Sequence, residues 1–361
     1  MQGKTVAKAP GRICLFGEHQ DFLGLAVIAC PIDLYITVAG VPRRDTWFYI
    51  RMPNTGESDL FDAAQEVEYR FDLDFIRAAT NVVKRIGCDI RCGYDCTISG
   101  NIPINAGTSS SSALTVAWVQ FLLTTQNHHA RSDPEAVARL AYQAEVLEFS
   151  APGGMMDHYT SALGGLVYID CREPITVERI PRKLAGLVLG NTGVRKNNNR
   201  IIAESRTATN AGMEILRQRI PGFDIWTTPF DEAEPHFGEM EPDVARRVRA
   251  NLINRDLCQE ARRLLAQDDL DHQRLGEMLH AHQVQLRDGV GVSHPKLDEF
   301  IDAAMEAGAL GGKLNGAGGG GCMFAYAPGK EQEVKSAIES VGGEAWIVDI
   351  SAGAQASKQE Q

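Results

Sequence analysis

The sequence predicts an α+β protein of two domains. The chain has 361 residues, enough for about two domains with a sizeable core. Its N-terminal third is rich in strand-like, β-branched segments, whereas residues 201–288 are mostly helical in pattern and rich in charged side chains. Strands and helices are therefore predicted to dominate different stretches of the chain.

The N-terminal half contains predicted strands and helices in an irregular order. Strands are predicted for "TVAKAPGRICLFGEH", which turns at Pro10 and Gly11, and then for "LAVIACPIDLYITVAGVP" and "WFYIRM". Helices are predicted for "FDLDFIRAATNVVKRIG", for the run after the four serines and for "SDPEAVARLAYQAEVLEF". In the last of these, Ser132 or Asp133 is a possible cap and Pro134 takes the first helical position.

The C-terminal half begins with two predicted strands, "LVYIDCR" and "LAGLVLGNTG". After the helical region, "HPKLDEFIDAAMEAGAL" predicts a helix, "GGKLNGAGGGG" a glycine loop and "CMFAYAP" a strand. The final stretch, residues 351–361, is small and polar, and it predicts a disordered tail.

Composition and charge exclude several classes of function. The net charge is −11 and there is no long basic cluster, which argues against nucleic-acid binding. Nowhere do ~18 uncharged apolar residues run together, so no membrane partner is expected. The eight cysteines are scattered, which indicates reduced thiols in a cytoplasmic protein.

Two groups of side chains resemble metal ligands only superficially. In "CDIRCGYDC" the period-two alternation predicts that Cys92 and Cys96 lie on the buried face of a strand, and zinc knuckles have two residues between ligands, not three. His280 and His282 are two residues apart, so on a helix they do not face the same way, and we predict surface or packing roles for both. The sequence assigns no role to the Asn-rich stretch 197–199.

The stretch "NIPINAGTSSSSALTVAW", residues 101–118, contains four consecutive serines, which are poor helix formers and poor core. A strand ending near Ser99, a loop of small residues with Gly107 and a helix beginning at the serines would turn free N–H groups and the positive helix end toward an anion. A serine hydroxyl there can bind a phosphate oxygen or Mg²⁺. The stretch indicates a nucleotide-phosphate cradle, with a plain capping turn as the alternative.

Three stretches together resemble the three motifs of the GHMP small-molecule kinases, in order and approximate spacing. They are "APGRICLFGEHQDFLG", "PINAGTSSSSAL" and "KLNGAGGGGCMFA". The resemblance implies a two-domain GHMP kinase fold with mixed sheets packed against helices and the active site between the domains. It places the phosphate loop and sugar-binding loop in residues 1–180 and the glycine-rich loop in residues 181–350, before the tail 351–361.

Within that family, "GEHQD" and "QAEVLEFSAPGGMMDH" resemble the galactokinase branch. The resemblance implies an ATP-dependent phosphotransferase that phosphorylates a monosaccharide, most simply at the anomeric (C1) hydroxyl, with ATP and Mg²⁺. A later stretch, "VGVSHPKLDEFIDAAMEAGALGGKLNGAGGGGC", looks closer to mevalonate and heptose kinases. The identity of the sugar, its anomer and the oligomeric state stay open.

The resemblance also implies roles for individual residues. Asp157 falls on the base or orienter of the attacking hydroxyl, Arg12 on the basic residue that steadies it, and Ser111 and Glu145 on the Mg²⁺ ligands. The implied sugar-binding residues are Glu18, His19, Asp21 and Gly154. The implied nucleotide-binding residues are Gly107, Thr108, Ser109, Ser110, Ser111 and Ser112 of the phosphate loop and Gly316, Gly318 and Gly319 of the glycine-rich loop.

Two alternatives to a sugar kinase remain. A mevalonate kinase would share the fold, but Asp21 suits a polyol better than a mostly apolar acid. A catalytically silent sensor would bind ATP and sugar and regulate a partner. Because a pure binder need not keep the acid and the metal ligands, Asp157, Arg12, Ser111 and Glu145 argue against the sensor.

Overall fold

The structure, a computed structural model, describes residues 3–194 and 198–359. The strands in these residues are β1 (Lys4–Phe16), β2 (Val27–Pro42), β3 (Trp47–Met52), β4 (Glu57–Asp62), β5 (Tyr94–Gly100), β6 (Leu166–Asp170), β7 (Thr176–Ile180), β8 (Leu187–Asn191), β9 (Gly311–Leu314), β10 (Cys322–Tyr326), β11 (Glu344–Val348) and β12 (Gln355–Gln359). The α-helices are α1 (Phe75–Arg85), α2 (Ser110–Thr125), α3 (Pro134–Tyr142), α4 (Met156–Leu163), α5 (Asn198–Arg219), α6 (Phe230–Ala233), α7 (Pro242–Leu265), α8 (His272–Val284), α9 (Pro295–Glu306) and α10 (Glu331–Ser340).

The first sheet runs in the order β12-β1-β2-β5-β3-β4, and β6 pairs with β2 and with β7. All of its pairs are antiparallel except β3 with β5, so it is a mixed sheet. Helices α1 to α4 cover one face. The buried indole of Trp118 on α2 packs edge-on against Phe48 of β3 and donates a 3.0 Å hydrogen bond to Thr80 of α1. This one side chain therefore fixes α2 against both the sheet and α1.

The second sheet is antiparallel, in the order β11-β8-β10-β9. On one side, α9 and α10 bury Phe300 and Ile338 against it. On the other side, its apolar residues join those of the first sheet in one cluster, with Leu189 and Phe324 packed among Leu15 and others of β1 and β2. This apolar layer packs the two sheets against each other.

The predicted division after residue 180 falls between β7 and β8, at the point where the chain leaves the first sheet for the second. The predicted disorder of residues 351–361 is wrong for Gln355–Gln359, which pair antiparallel with β1 from Lys4↔Gln359 to Lys8↔Gln355. A strand at a sheet edge is held by backbone hydrogen bonds, so its polar side chains do not prevent it from forming. Residues 360 and 361 lie outside the described residues.

Other sequence predictions have mixed outcomes. Asp133 caps α3, accepting hydrogen bonds from two backbone N–H groups, and Pro134 opens the helix. Cys96 is buried on β5 as expected, whereas Cys92 precedes that strand and is half-buried. All eight cysteines are free thiols.

The remaining sequence predictions concern the histidines, metal ligands and membrane spans. The ring of His282 is fully buried and stacks on Phe16, with burial holding its pKa well below the usual value, and His280 is half-buried. Across residues 3–194 and 198–359, no three His, Cys, Asp or Glu side chains gather as a metal site. In the same residues, no helix has the length and apolar character to cross a membrane. Of the Asn-rich stretch, Asn197 lies outside the described residues, while Asn198 and Asn199 begin α5.

Candidate active site

The "GEHQD" segment forms a buried turn between β1 and β2. Gly17 has φ 88°, and a side chain there would stand 2.5 Å from the carbonyl oxygen of Ala26, so only glycine fits. His19 takes the left-handed φ of 64°, which costs energy in a residue with a Cβ. Glu18, His19 and Asp21 are all less than 9% exposed. The loop is therefore a buried turn and not a solvated one.

Distant segments fix this loop in place. Glu18 forms a fully buried ion pair with Lys313 of β9 at 3.0 Å, and the Lys313 ammonium also donates to the carbonyls of Cys14 and Leu314 at 2.8 Å. His19 Nε2 lies 3.0 Å from the carbonyl of Ala317 in the glycine-rich loop. The first and third sequence motifs thus meet, and Lys313 is a contributor that sequence reasoning missed.

The phosphate loop precedes α2. Gly107 has φ 93°, and Asn105 and Ser109 adopt the left-handed region at 55° and 59°, so the chain turns sharply before the helix begins at Ser110. This geometry leaves the N–H groups of the first helical turn without partners inside the helix. Three strained residues in two loops around one cleft are typical of a functional site.

Asn315 joins the phosphate loop to β1, and sequence reasoning missed this residue. Its side-chain nitrogen donates to the carbonyls of Gly107 at 2.8 Å and Arg12 at 3.2 Å, and its oxygen accepts from the N–H of Cys14 at 2.9 Å. Gly316 follows in close contact, since a Cβ there would stand 2.7 Å from Gly107. All three motifs therefore converge on Gly107.

Arg12 and Asp157 form an ion pair inside the cleft, with Nε 2.7 Å from Oδ1. A second guanidinium nitrogen donates to the carbonyl of Gly107, which anchors the arginine to the phosphate loop. Burial raises the pKa of Asp157, but the charge of Arg12 and the hydroxyl of Ser109 outweigh it, so the pKa lies below its ordinary value. Asp157 is therefore ionised at neutral pH and can accept a hydrogen bond from a bound hydroxyl.

Asp21 lies near this pair, and its pKa is shifted in the opposite direction to that of Asp157. Burial, followed by the negative charge of Asp157, raises the pKa of Asp21 to about 6, even though its carboxylate accepts a hydrogen bond from the backbone N–H of Met156 at 3.3 Å. The backbone of Gly154 passes so close that a Cβ there would stand 2.1 Å from Asp21 Oδ2. A buried carboxylate that lines the cleft is suited to accept hydrogen bonds from ligand hydroxyls.

If Asp21 and Gly154 bind the acceptor, as the sequence predicts, Gly154→Ala should displace the Asp21 carboxylate and lower kcat/KM for the acceptor roughly tenfold, since small misplacements of binding groups are costly. The KM for the nucleotide should not change. Gly153→Ala is the matched control, because a Cβ at Gly153 meets only Val146, at 3.8 Å. Steady-state kinetics of both variants check this, and equal effects from the two would remove Gly154 from the site.

Glu145 lies on a π-helical segment, Gln143–Leu147, that continues α3. π-Helical segments are rare in proteins, and those that occur are often found at functional sites. One carboxylate oxygen accepts from Ser112 Oγ at 3.2 Å, and the other lies 2.8 Å from Nε2 of His158. Ser111 lines the same cleft. Carboxylate and hydroxyl oxygens are the donors that Mg²⁺ accepts, so these residues fit the ion.

One cleft of about 510 Å³ contains most of the residues that the sequence singled out. Those that line it are Arg12, Glu18, His19, Asp21, Ser111, Ser112, Glu145, Gly154, Asp157 and Gly316. Gly107, Thr108, Ser109 and Ser110 are not part of the lining; the carbonyl of Thr108, for example, accepts from the N–H of Arg12. Gly318 and Gly319 are also not part of the lining and lie against the carbonyl of Val292. Phe22, Phe75 and Ile202 add an apolar wall.

Comparison with known sequences identifies the same regions. Residues 74–165 match the GHMP kinases N terminal domain, residues 261–344 match GHMP kinases C terminal, and residues 2–42 match the galactokinase galactose-binding signature. Together these matches include parts of both halves of the chain and contain most of the residues that line the cleft, although Ile202 lies outside them.

Individual relatives come from two branches. The chain is 30% identical to a mevalonate kinase of Pyrococcus furiosus, over 96% of each chain, and 29% identical to a galactokinase of Pasteurella multocida, over 90% of this chain and 86% of that one. The solved structure of Lactococcus lactis galactokinase complexed with galactose has the same fold, with a TM-score of 0.84 and 21% identity over 98% of this chain and 95% of that one. The predicted α+β fold is confirmed, and the chain belongs to the GHMP kinase family of phosphotransferases.

Proposed function

We propose that the protein transfers the γ-phosphoryl group of ATP to the anomeric hydroxyl of a neutral monosaccharide. The observation that carries this proposal is the pair of carboxylates Asp21 and Asp157 that line one cleft, of which Asp157 is paired with Arg12 and Asp21 has no cation partner among the ion pairs of the described residues. Among the described residues that line the cleft, Arg12 is the one fixed positive charge, and it is bound to Asp157. A ligand rich in hydroxyl donors and free of negative charge complements such a surface.

The chain's own groups would divide the chemistry among them. Asp157 accepts a hydrogen bond from the attacking hydroxyl and takes its proton as the phosphoryl group transfers. Its low pKa makes it a weak base, which suits a loose transition state in which the hydroxyl proton leaves late. Arg12 holds the carboxylate in place and offsets charge that develops beside Gly107. Mg²⁺, when bound, would supply further charge neutralisation on the phosphate oxygens.

The nucleotide end of the cleft is the phosphate loop with the start of α2. Free N–H groups of the first helical turn and the positive end of the helix favour phosphate oxygens. Ser111, Ser112 and Glu145 would hold the metal on that side. The acceptor would then lie between this loop and the "GEHQD" loop, with Asp21, Glu18, His19 and the backbone of Gly154 around its hydroxyls.

Mevalonate is the second candidate acceptor, favoured by the 30% identity to the Pyrococcus furiosus enzyme. Mevalonate carries a carboxylate, which would need a cation in the cleft. In the part of the chain that the structure describes, the fixed cation that lines the cleft, Arg12, is engaged by Asp157, and the buried Lys313 pairs with Glu18. A third carboxylate beside Asp21 and Asp157 would be repelled, which favours a neutral acceptor. A silent sensor is disfavoured because the ion pair of Arg12 with Asp157 is intact.

A panel of acceptors tests the proposal. ADP release should be stimulated by one or more neutral hexoses or heptoses, and much less by mevalonate or by uronic acids, with the protein incubated without acceptor as the blank. Turnover of mevalonate alone would contradict the proposed substrate class. Binding of sugar and ATP by calorimetry without ADP release would indicate the sensor instead.

The raised pKa of Asp21 predicts a pH dependence. Only the ionised carboxylate accepts two hydroxyl hydrogen bonds, so kcat/KM for the sugar should fall tenfold per pH unit below about pH 6. The measurement is made at saturating ATP between about pH 5 and pH 8. Asp21→Asn should lack this acid limb while retaining the rest of the profile. An unchanged limb in Asp21→Asn would assign the titration to another group.

A further inference from the structure

The cleft contains one buried polar group that the proposed reaction does not use. The imidazole of His158 follows Asp157 on α4, is 2% exposed and contacts the ring of Tyr142 edge-on at 5.6 Å. Its Nε2 lies 2.8 Å from Oε2 of Glu145. Because an ionised carboxylate only accepts hydrogen bonds, the imidazole proton is on Nε2 and points at Glu145.

The two oxygens of Glu145 therefore have different partners. Oε2 accepts from His158, and Oε1 accepts from Ser112 at 3.2 Å on the phosphate loop. With both oxygens engaged and the residue buried, the carboxylate has one orientation. That orientation places Oε1 next to the serine hydroxyls, where the metal-bound phosphates are proposed to lie.

We propose that His158 is a positioning residue that holds Glu145 as a ligand for Mg²⁺. The inference rests on the proposed function, in which Glu145 binds the metal. A partner that fixes a ligating carboxylate commonly contributes about 10- to 100-fold to metal affinity. Successive residues on a helix point about 100° apart. The first turn of α4 thus supports both halves of the reaction, with Asp157 on the acceptor and His158 on the metal ligand.

A packing role for His158 predicts a different dependence on side-chain chemistry. The ring contacts Tyr142, and any side chain of similar volume would fill that space. Positioning instead requires an N–H donor at the location of Nε2. Glutamine can place its amide nitrogen there, whereas asparagine is also polar but reaches only to the location of Nδ1. These two variants therefore distinguish a role as an N–H donor to Glu145 from a role in packing alone.

The test measures metal binding directly. Mn²⁺ affinity is determined by electron paramagnetic resonance in the presence of a non-hydrolysable ATP analogue, for the native protein, His158→Gln, His158→Asn and Glu145→Gln. His158→Asn should bind Mn²⁺ about tenfold more weakly, and Glu145→Gln at least as weakly. His158→Gln should stay near the native affinity. Thermal unfolding of each variant shows whether the fold is retained.

The outcomes distinguish this inference from the proposed function. Native Mn²⁺ affinity in Glu145→Gln would overturn the metal role of Glu145 itself. Loss in Glu145→Gln with native affinity in His158→Asn would overturn only the positioning role. If His158→Asn fails to fold, His158→Met replaces it, because methionine has about the length of glutamine but no N–H donor: weaker Mn²⁺ binding in His158→Met than in His158→Gln supports the inference, and native affinity in a folded His158→Met contradicts it.

Discussion

Asp157→Asn should lower kcat by about 10²-fold or more while nucleotide affinity stays close to native. The amide preserves the shape of the carboxylate and can still accept the hydrogen bond that Arg12 Nε donates at 2.7 Å. It cannot take a proton from the acceptor hydroxyl, and it removes the negative charge that orients the hydroxyl. The loss therefore falls on the chemical step and not on the binding of ATP. Steady-state kinetics and calorimetric titration with ATP measure the two quantities separately.

A matched control for this variant is Asp170→Asn. Asp170 also pairs with an arginine, Arg172, at 2.7 Å, but it lies outside the cleft. We expect Asp170→Asn to retain native kcat, because removing a surface ion pair changes little. Near-native turnover in Asp157→Asn would show that Asp157 is not the base. Equal losses in both variants would indicate a general effect on folding.

Asp21→Asn should have the second largest effect. It should lower activity toward the sugar and raise the stability of the fold. The kcat/KM for the sugar should fall by about 10- to 100-fold, since a site built to accept hydroxyl hydrogen bonds loses one acceptor with its charge. ATP affinity should be unchanged, because Asp21 accepts its hydrogen bond from Met156 of α4 and the phosphates are proposed to lie at the phosphate loop. The second consequence concerns stability.

The raised pKa of Asp21 sets the direction of that stability change. A carboxyl whose pKa is about 6 in the folded protein and 3.8 in its ordinary state binds its proton more tightly when folded. Its ionised form therefore opposes folding by on the order of 3 kcal/mol above about pH 6, and this cost disappears at lower pH. Asp21→Asn should raise the apparent unfolding temperature at neutral pH by a few degrees.

The control for stability is Asp33→Asn. Asp33 accepts one backbone hydrogen bond, from Asp349 at 3.0 Å, as Asp21 does from Met156, but it is exposed. We expect no stabilisation there. A lower unfolding temperature in Asp21→Asn than in the native protein would contradict the claim that the buried, ionised carboxylate of Asp21 destabilises the fold. Unchanged sugar kinetics in Asp21→Asn would show that Asp21 of the "GEHQD" loop does not bind the acceptor.

The sequence predicted much of the fold because its signals are local. The cap at Asp133 and the glycine loop before β10 depend on residue types at short spacing, and the structure contains both. The prediction failed where the partner is distant. Gln355–Gln359 has no apolar face to indicate a strand, and only β1, at the other end of the chain, supplies its hydrogen bonds.

The same distinction applies to the cleft. Motif spacing was enough to select Arg12, Asp21, Glu145 and Asp157, and the structure brings these four together. Motif spacing could not show that Lys313 pairs with Glu18 from 295 residues away, nor that Asn315 binds Gly107 from 208 residues away. Both lie within the quoted motif "KLNGAGGGGCMFA", so the available signal was two polar residues in an otherwise apolar and glycine-rich segment.

The glycines of that motif show a further limit. Gly316, Gly318 and Gly319 were predicted to bind the nucleotide, and in the structure Gly316 lies against Gly107 of the phosphate loop while Gly318 and Gly319 lie against Val292. Composition predicts that a loop can approach another backbone closely. Which backbone each glycine meets depends on the packing of the two sheets.

The central claim, phosphoryl transfer to an anomeric hydroxyl, is tested most directly by locating the phosphate in the product. The preferred sugar from the acceptor panel is incubated with ATP and Mg²⁺, and the product is examined by ³¹P–¹H correlation NMR. We predict a phosphorus signal coupled to the anomeric proton and a phosphate that is released by mild acid. Coupling to a primary CH₂ group of the sugar, or a phosphorylated product formed only from mevalonate, would contradict the claim.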